Sequence, residues 1–485
     1  MHVNLSVRAE GTAYDFREYG ITLNFALKSQ GGSAMGYIDE FIEFLSIPSI
    51  SAIPEHKPDL AEASRWLKQR MIRAGIDDVQ IIETKGHPVV FGRKSAQTQD
   101  NSKAPTVLIY GHYDTQPADP LDEWHSPPFE PQVKDGKIFA RGASDDKGGI
   151  YPAVLAAEEA IKENSLPVNL KFLFEGEEEI GSPSLKEILD EHRELFACDI
   201  VLSVDGGMFS GEIPSITTGS RGLAAIQVEV TGPYADVHSG SGGGVIQNPV
   251  QALAEILTGL KDKEGRILVK GFYDDVAEVS PAEREQFEQV PLDEEAIRDR
   301  LGVPGLFGEP GYSLAERMWT RPSLDANGIW GGFQGEGIKT IIPAKAGCKI
   351  TCRLVPHQDP EVICALLEDH IKHSVPPGVR VTVKVFPGNS KPYVIPESHP
   401  VLPVMADVLG ELFGREPVKV RLGGTLPIAA AFLDILGTYL FFFAMSGPDT
   451  NVHAPNEFIR IDDLNRLRRG LRMFWSKYAD SFAGS

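Results

Sequence analysis

Four short segments combine histidine and carboxylate side chains at spacings that suit cation chemistry. In Tyr110-Gly-His112-Tyr-Asp114-Thr, an imidazole is followed two residues on by a carboxylate that can point the same way and accept the second ring N–H. Metal-bound histidines commonly have such a partner. In Arg141-Gly-Ala-Ser-Asp145-Asp146-Lys147-Gly148, two adjacent acids lie in a turn just before a helix. One acid is enough to serve the helix N-terminus. A carboxylate with two oxygens can also bridge two cations, which a neutral histidine cannot. In Phe174-Glu175-Gly-Glu177-Glu178-Glu179-Ile-Gly, four acids fill five positions after an apolar strand, so they must be solvated or neutralised. Glu175 and Glu177 are expected to be exposed loop acids, with a divalent cation neutralising one or two of the cluster. The last pair is Asp205, just past the apolar run Ile200–Val204, and His453 in Thr450-Asn-Val-His453-Ala-Pro-Asn-Glu457.

Two histidines, a potential bridging acid and further acids suit two divalent ions. Oxygen and nitrogen donors without a thiolate favour zinc, manganese or cobalt. Two such ions about 3.5–4 Å apart hold a hydroxide and polarise a carbonyl together, and a spare glutamate moves the proton. Cys198, Cys348, Cys352 and Cys364 match no thiolate metal site, and four in 485 residues argue for reduced, structural cysteines in a cytoplasmic protein.

These residues need strand ends to hold them. Helical spacing is expected over 36–47 and 60–74, and strands over 78–83, 88–91 and 106–110. The run Thr106-Val-Leu-Ile-Tyr110 has no polar alternation, as a strand covered on both faces should have. A helix at 148–162, a strand at 168–174, a helix at 184–194 and a strand at 199–204 continue an α/β alternation, with a parallel or mixed sheet between helices. From about 221 the texture changes to strand 224–231, a glycine-rich turn at 240–244, helix 249–260 and a charged stretch over 262–300. Strand 347–354, helix 360–373 and strand 378–386 complete a smaller α+β unit. Helix 400–413, strand 418–421, helix 426–434, strand 439–444 and helix 460–478 then return to α/β. The expected organisation is a catalytic domain in two parts, 35–217 and 388–485, with 218–387 inserted and 1–34 of unassigned structure.

The formal net charge of −21 and the lack of a basic patch argue against a nucleic-acid partner. No apolar run reaches the roughly 18 residues of a membrane span, and no secretory signal is expected. The turn Gly240-Ser-Gly-Gly-Gly244 lacks the ending of a phosphate-binding loop.

The chain resembles the M20 metallopeptidases, most of all their carnosinase and cytosolic non-specific dipeptidase branch. The likeness runs over about 36–480. It includes Gly111–Pro117, Arg141–Gly148, Glu175–Ser182, Asp236-Val-His238-Ser-Gly240, Arg353-Leu-Val-Pro356, Gly423-Gly-Thr-Leu-Pro427 and Asn451–Glu457, all in the family's order. The resemblance implies a phosphorylase/hydrolase-like α/β fold of the zinc exopeptidase type, with a mostly parallel sheet and an inserted α+β dimerisation and lid domain. It implies that His112, Asp145, Glu179, Asp205 and His453 bind two divalent ions, zinc first, then manganese or cobalt. Asp145 would bridge them, with His112 and Asp205 on one ion and Glu179 and His453 on the other. Glu178 takes the general base and acid place, acting on a water between the ions. Asp114 orients His112, and the bond joining Asp145 to Asp146 is cis in relatives. His238 matches a histidine that enters the partner's active site in a homodimer. Arg353, Gly424 and Thr425 match groups that hold a substrate's terminal carboxylate.

The implied substrate is a dipeptide or short peptide, with N-acyl-amino-acid deacylation as the alternative. Two positions depart from the family pattern. Glu177 stands where an apolar residue is frequent, either raising the pKa of Glu178 or facing solvent. Thr425 stands where many dipeptidases carry serine.

Overall fold

The computed structural model describes residues 36–98 and 101–483, so the extension 1–34 lies outside the described residues. A six-stranded sheet forms the larger core. Its strands, in spatial order, are Asp77–Ile82, Val89–Lys94, Asn169–Glu175, Thr106–His112, Ile200–Ser203 and Leu440–Phe442. The last four run parallel, while the first two pair antiparallel, which makes the sheet mixed but mostly parallel.

In Thr106–His112 every residue after the first is buried, because both faces of this strand are covered. Helices Lys147–Lys162, Leu185–Glu191, Val401–Phe413, Pro427–Leu436 and Ile461–Ala483 accompany the sheet, and their apolar residues share one core with it. A helix expected over 184–194 divides at His192, with a second short turn at Arg193–Phe196.

The smaller core is a four-stranded antiparallel sheet in the order Ser323–Gly331, Lys345–Leu354, Gly222–Thr231, Arg380–Val385. Burial alternates strictly along Gly222–Thr231, because helices Pro249–Thr258 and Pro360–His373 cover one face only. Both helices start with Pro at the first position after an Asn or Asp cap: Asn248 accepts from Val250 N, and Asp359 from Glu361 N and Val362 N. The edge strand Ser323–Gly331 was not expected; Asp325, Asn327 and Gly328 give it poor strand composition, and its register shifts between Ala326 and Gly328.

The charged stretch 262–300 contains two short helices, Pro281–Glu288 and Glu294–Leu301, started by Ser280 and Asp293 caps. Phe287 and Val290 pack with Trp319, Val418 and Val420, so this stretch reaches the strand Val418–Leu422. That strand belongs to a three-stranded sheet with Ser215–Ser220 and Tyr393–Val394 at the passage between the two cores.

Candidate metal centre

His112 ends its strand beside Glu175, so its ring emerges at the carboxyl edge of the sheet. The ring is fully buried. Its Nδ1 lies 3.3 Å from Asp114 Oδ1, and its Nε2 lies 2.9 Å from Asp145 Oδ1. Asp114 also accepts the backbone N–H groups of Glu178 (3.3 Å) and Glu179 (3.1 Å), which ties the acidic turn to the histidine strand.

Asp145 sits in the turn before helix Lys147–Lys162, and the Asp145–Asp146 peptide is cis. Its second oxygen, Oδ2, lies 2.9 Å from His453 Nε2. His453 comes from the loop after strand Leu440–Phe442, in a left-handed conformation with φ 62°. The same Nε2 lies 3.2 Å from Glu179 Oε2, and Gln116 Nε2 donates to that oxygen at 2.7 Å. Asp205 follows strand Ile200–Ser203 and adds its charge to the same cluster.

Single ligand atoms of His112, Asp145 and Glu179 all lie within 4.8 Å of one another. The electrostatics show what such a cluster wants. Burial pushes the Glu178 carboxyl up to about 8; His112 opposes this, and Asp205, Asp145 and Glu179 add to it. Burial likewise lifts Asp205 to about 6, against His112 and with the charges of Asp145 and Glu179. His453 rises to about 10 through its hydrogen bonds to Asp145 and Glu179. Burial works against a charged His112, yet Asp114 and Asp145 outweigh it and raise its pKa. Asp145 is held well below the usual carboxylate range, since the hydrogen bonds of His112 and His453 overcome its burial. Acids that hold on to protons and imidazoles that gain them mark a site short of positive charge, which fits divalent cations.

Glu175 and Glu177 are not exposed loop acids. Glu175 is buried and accepts from Tyr110 Oη at 2.5 Å and Ser182 Oγ at 2.9 Å. Glu177 is buried too; its oxygens accept His87 N (3.0 Å) and Ser184 N (3.1 Å), so it pins the turn rather than facing solvent. Hydrogen bonds to neighbouring segments solvate both acids, which burial pattern alone did not forecast.

Glu457 is a residue whose part the sequence left unassigned. Its carboxylate is buried and accepts Arg141 Nη1 (2.7 Å) and the N–H groups of Gly142 (2.9 Å), Ser144 (2.8 Å) and Asp145 (3.1 Å). It thus anchors the turn that presents Asp145. The presence of Arg141 and Glu457 inside two of the matched segments was the available signal.

Away from this cluster, Arg353 Nη1 donates to Thr425 Oγ1 at 2.8 Å, and Gly424 lies in the turn before it. His238 is exposed on the two-residue strand Val237–His238, which pairs with Ile341–Ile342. Its Nδ1 accepts the Gly240 N–H at 3.0 Å.

A strand-edge cluster of this composition on a mostly parallel sheet suits a metallohydrolase, and comparison with known proteins gives the family. The profile of peptidase family M20/M25/M40 matches residues 108–477, and the chain belongs to that family as a metallo-exopeptidase of the dipeptidase type. It is 32% identical over 468 residues to the Cys-Gly metallodipeptidase of Schizosaccharomyces pombe, covering 90% of this chain and 94% of that one. It is 30% identical over 451 residues to the human Beta-Ala-His dipeptidase, covering 87% and 86%. Among solved structures, the M20 family metallo-carboxypeptidase of Sulfolobus solfataricus superposes with a TM-score of 0.79 at 33% identity, over 92% of this chain and 99% of that one.

No helix among the described residues is long and apolar enough to cross a membrane.

Proposed function

We propose that the protein hydrolyses the peptide bond of dipeptides, or the last bond of short peptides, that carry a free C-terminal carboxylate. One observation carries this reading: His112, Asp145, Glu179 and His453 converge within hydrogen-bond distances, with the proton-holding Glu178 in the same turn. Two divalent cations, zinc first and manganese or cobalt next, fit His112 with Asp205, and His453 with Glu179, about a shared Asp145; they would supply Lewis acidity and lower the pKa of water.

The chain's own groups do the rest. Asp114 fixes the His112 ring so that Nε2 faces Asp145. Glu178 takes the proton of the attacking water and passes it to the leaving amine. A carboxyl raised towards neutrality suits both halves of that transfer. Arg353, Gly424 and Thr425 receive the terminal carboxylate, where a guanidinium offers paired, charge-assisted hydrogen bonds.

The dipeptides named for the relatives differ in both residues, Cys-Gly against Beta-Ala-His, and share that terminal carboxylate. His238 is exposed on the two-stranded ribbon Val237–His238 with Ile341–Ile342, which supports its working in a second copy of the chain as an oxyanion donor. On this reading 35–217 and 388–485 form the catalytic part and 218–387 the dimerising lid. Four unpaired cysteines suit a reducing, cytoplasmic setting.

The test is an activity panel on metal-stripped protein reloaded with zinc, manganese or cobalt, using dipeptides, tripeptides and N-acetyl amino acids. Turnover confined to peptides with a free carboxylate is the expected result. Turnover of acylated amino acids in preference to dipeptides would make the protein a deacylase instead.

A further inference from the structure

Arg221 is the single residue between strand Ser215–Ser220 and strand Gly222–Thr231, where the chain passes from the junction sheet into the smaller core. It reaches three successive carbonyls of one turn. Its backbone N–H donates to Leu422 O (3.2 Å) and Gly424 O (3.1 Å), and its Nε donates to Gly423 O (2.8 Å). Its Nη1 reaches Arg321 O at 3.4 Å. The next residue of that turn is Thr425, whose hydroxyl accepts Arg353 Nη1 at 2.8 Å. Arg353 stands opposite Leu223 in the strand register, two residues from Arg221.

The turn packs closely on the guanidinium. A Cβ at Gly423 would come within 3.3 Å of both Arg221 Nη2 and Met318 O.

The charge balance is as telling as the geometry. Among the described residues neither Arg221 nor Arg353 makes an ion pair; their side chains meet carbonyls and a hydroxyl instead. Asp325, whose charge favours the Arg221 guanidinium, is itself paired with Lys261 at 3.6 Å. Burial and then the Arg353 charge hold Arg221 down to about 10. Two neighbouring guanidiniums without a carboxylate leave a place for an anion.

We infer that Arg221 is a positioning residue for the substrate's terminal carboxylate: it holds the Leu422–Gly424 turn so that Thr425 and Arg353 stay together, and it adds the second positive charge beside them. The inference rests on the dipeptidase reading above. A substitution keeps the backbone N–H contacts to Leu422 O and Gly424 O. A lysine cannot replace the side chain fully, because a single ammonium lacks the planar fork by which Nε and Nη1 meet Gly423 O and Arg321 O at once.

The experiment is steady-state kinetics of the full-length, metal-loaded enzyme and its Arg221→Met and Arg221→Lys variants, on one dipeptide and on its C-terminal amide. Arg221→Met is expected to raise KM for the dipeptide about tenfold or more while kcat stays within about threefold, and to erode the preference for dipeptide over amide by the same factor. Arg221→Lys should fall between it and the wild type. An unchanged KM in the folded variants overturns the inference. So does a fall in kcat on both substrates alike with the preference intact, since that marks a merely structural residue. If thermal melting shows Arg221→Met unfolded, Arg221→Lys decides alone: a raised KM with eroded preference supports the inference, and a wild-type profile overturns it. A wild-type enzyme indifferent to the amide refutes the carboxylate reading itself, whatever the variants do.

Discussion

The two sheets solve the same problem of polar chemistry beside an apolar core in opposite ways. In the larger sheet, strands such as Thr106–His112 and Ile200–Ser203 are buried on both faces, so polar groups are excluded from their lengths. They collect at the carboxyl ends, where His112 and Asp205 stand. In the smaller sheet only one face is covered, and every second residue of Gly222–Thr231 stays partly open. Arg353 belongs to that open face, with Thr351 and Lys349 along the same strand. A doubly covered sheet therefore concentrates ligands at an edge and allows a dense, mutually perturbed cluster. A singly covered sheet spreads its polar residues and suits recognition of a substrate's end.

The comparison can be broken first at the edge cluster. Glu178→Gln should cost about 10²–10⁴ in kcat while metal uptake, measured by elemental analysis of the folded protein, stays near normal. Near wild-type turnover would take the base role away from Glu178.

The lengths of the strands come next. Leu108→Ala and Ile109→Ala, adjacent and both fully buried, should each lower stability by about 2–5 kcal/mol in urea unfolding, because neither face has solvent to relax into. In the smaller sheet the same neighbouring pair should split: Ile226→Ala costs about as much, while Gln227→Ala stays within about 0.5 kcal/mol. Equal losses at Ile226 and Gln227 would mean the second face is covered after all.

Proton release sharpens the contrast further. The edge holds protons on two of the proposed ligands, His453, raised to about 10, and His112, raised well above its ordinary value by Asp114 and Asp145 against its burial. Cations displace protons from ligands whose pKa lies above the working pH, so affinity must climb with pH up to about pH 10, where His453 loses its proton unaided. Calorimetry in buffers of different ionisation enthalpy reads this directly, and binding without proton release contradicts it. The smallest expected effect is at the open face. Lys349→Ala should shift stability by no more than about 0.5 kcal/mol, since its side chain is exposed.

Much of this was legible in the residues. Apolar runs located the central strands to within a residue or two, and the histidine and carboxylate segments at their ends named the cluster. Other features were hidden for physical reasons. Glu175 and Glu177 read as solvent-facing because a run of acids normally is, yet Tyr110 and His87 from distant segments, with Ser182 and Ser184 a few residues on, supply their hydrogen bonds. Strand Ser323–Gly331 was invisible because its ladder to Lys345–Leu354, not its own composition, holds it extended. The helices at 281–301 were masked by charge; their caps were readable, but the partner for Phe287 lay over a hundred residues away at Val418.

What the chain determined alone is therefore local: which runs can be buried on two faces, where Asn248 and Asp359 start helices, and which side chains can bind a cation. Proximity was decided only by the tertiary structure. Arg141 and Glu457 are 316 residues apart in sequence and meet through a buried ion pair that sets the Asp145 turn, and His453 arrives from the same distant loop. Sequence periodicity carries the direction of a side chain relative to its own strand or helix. It carries no record of which distant segment the returning chain will lay beside it.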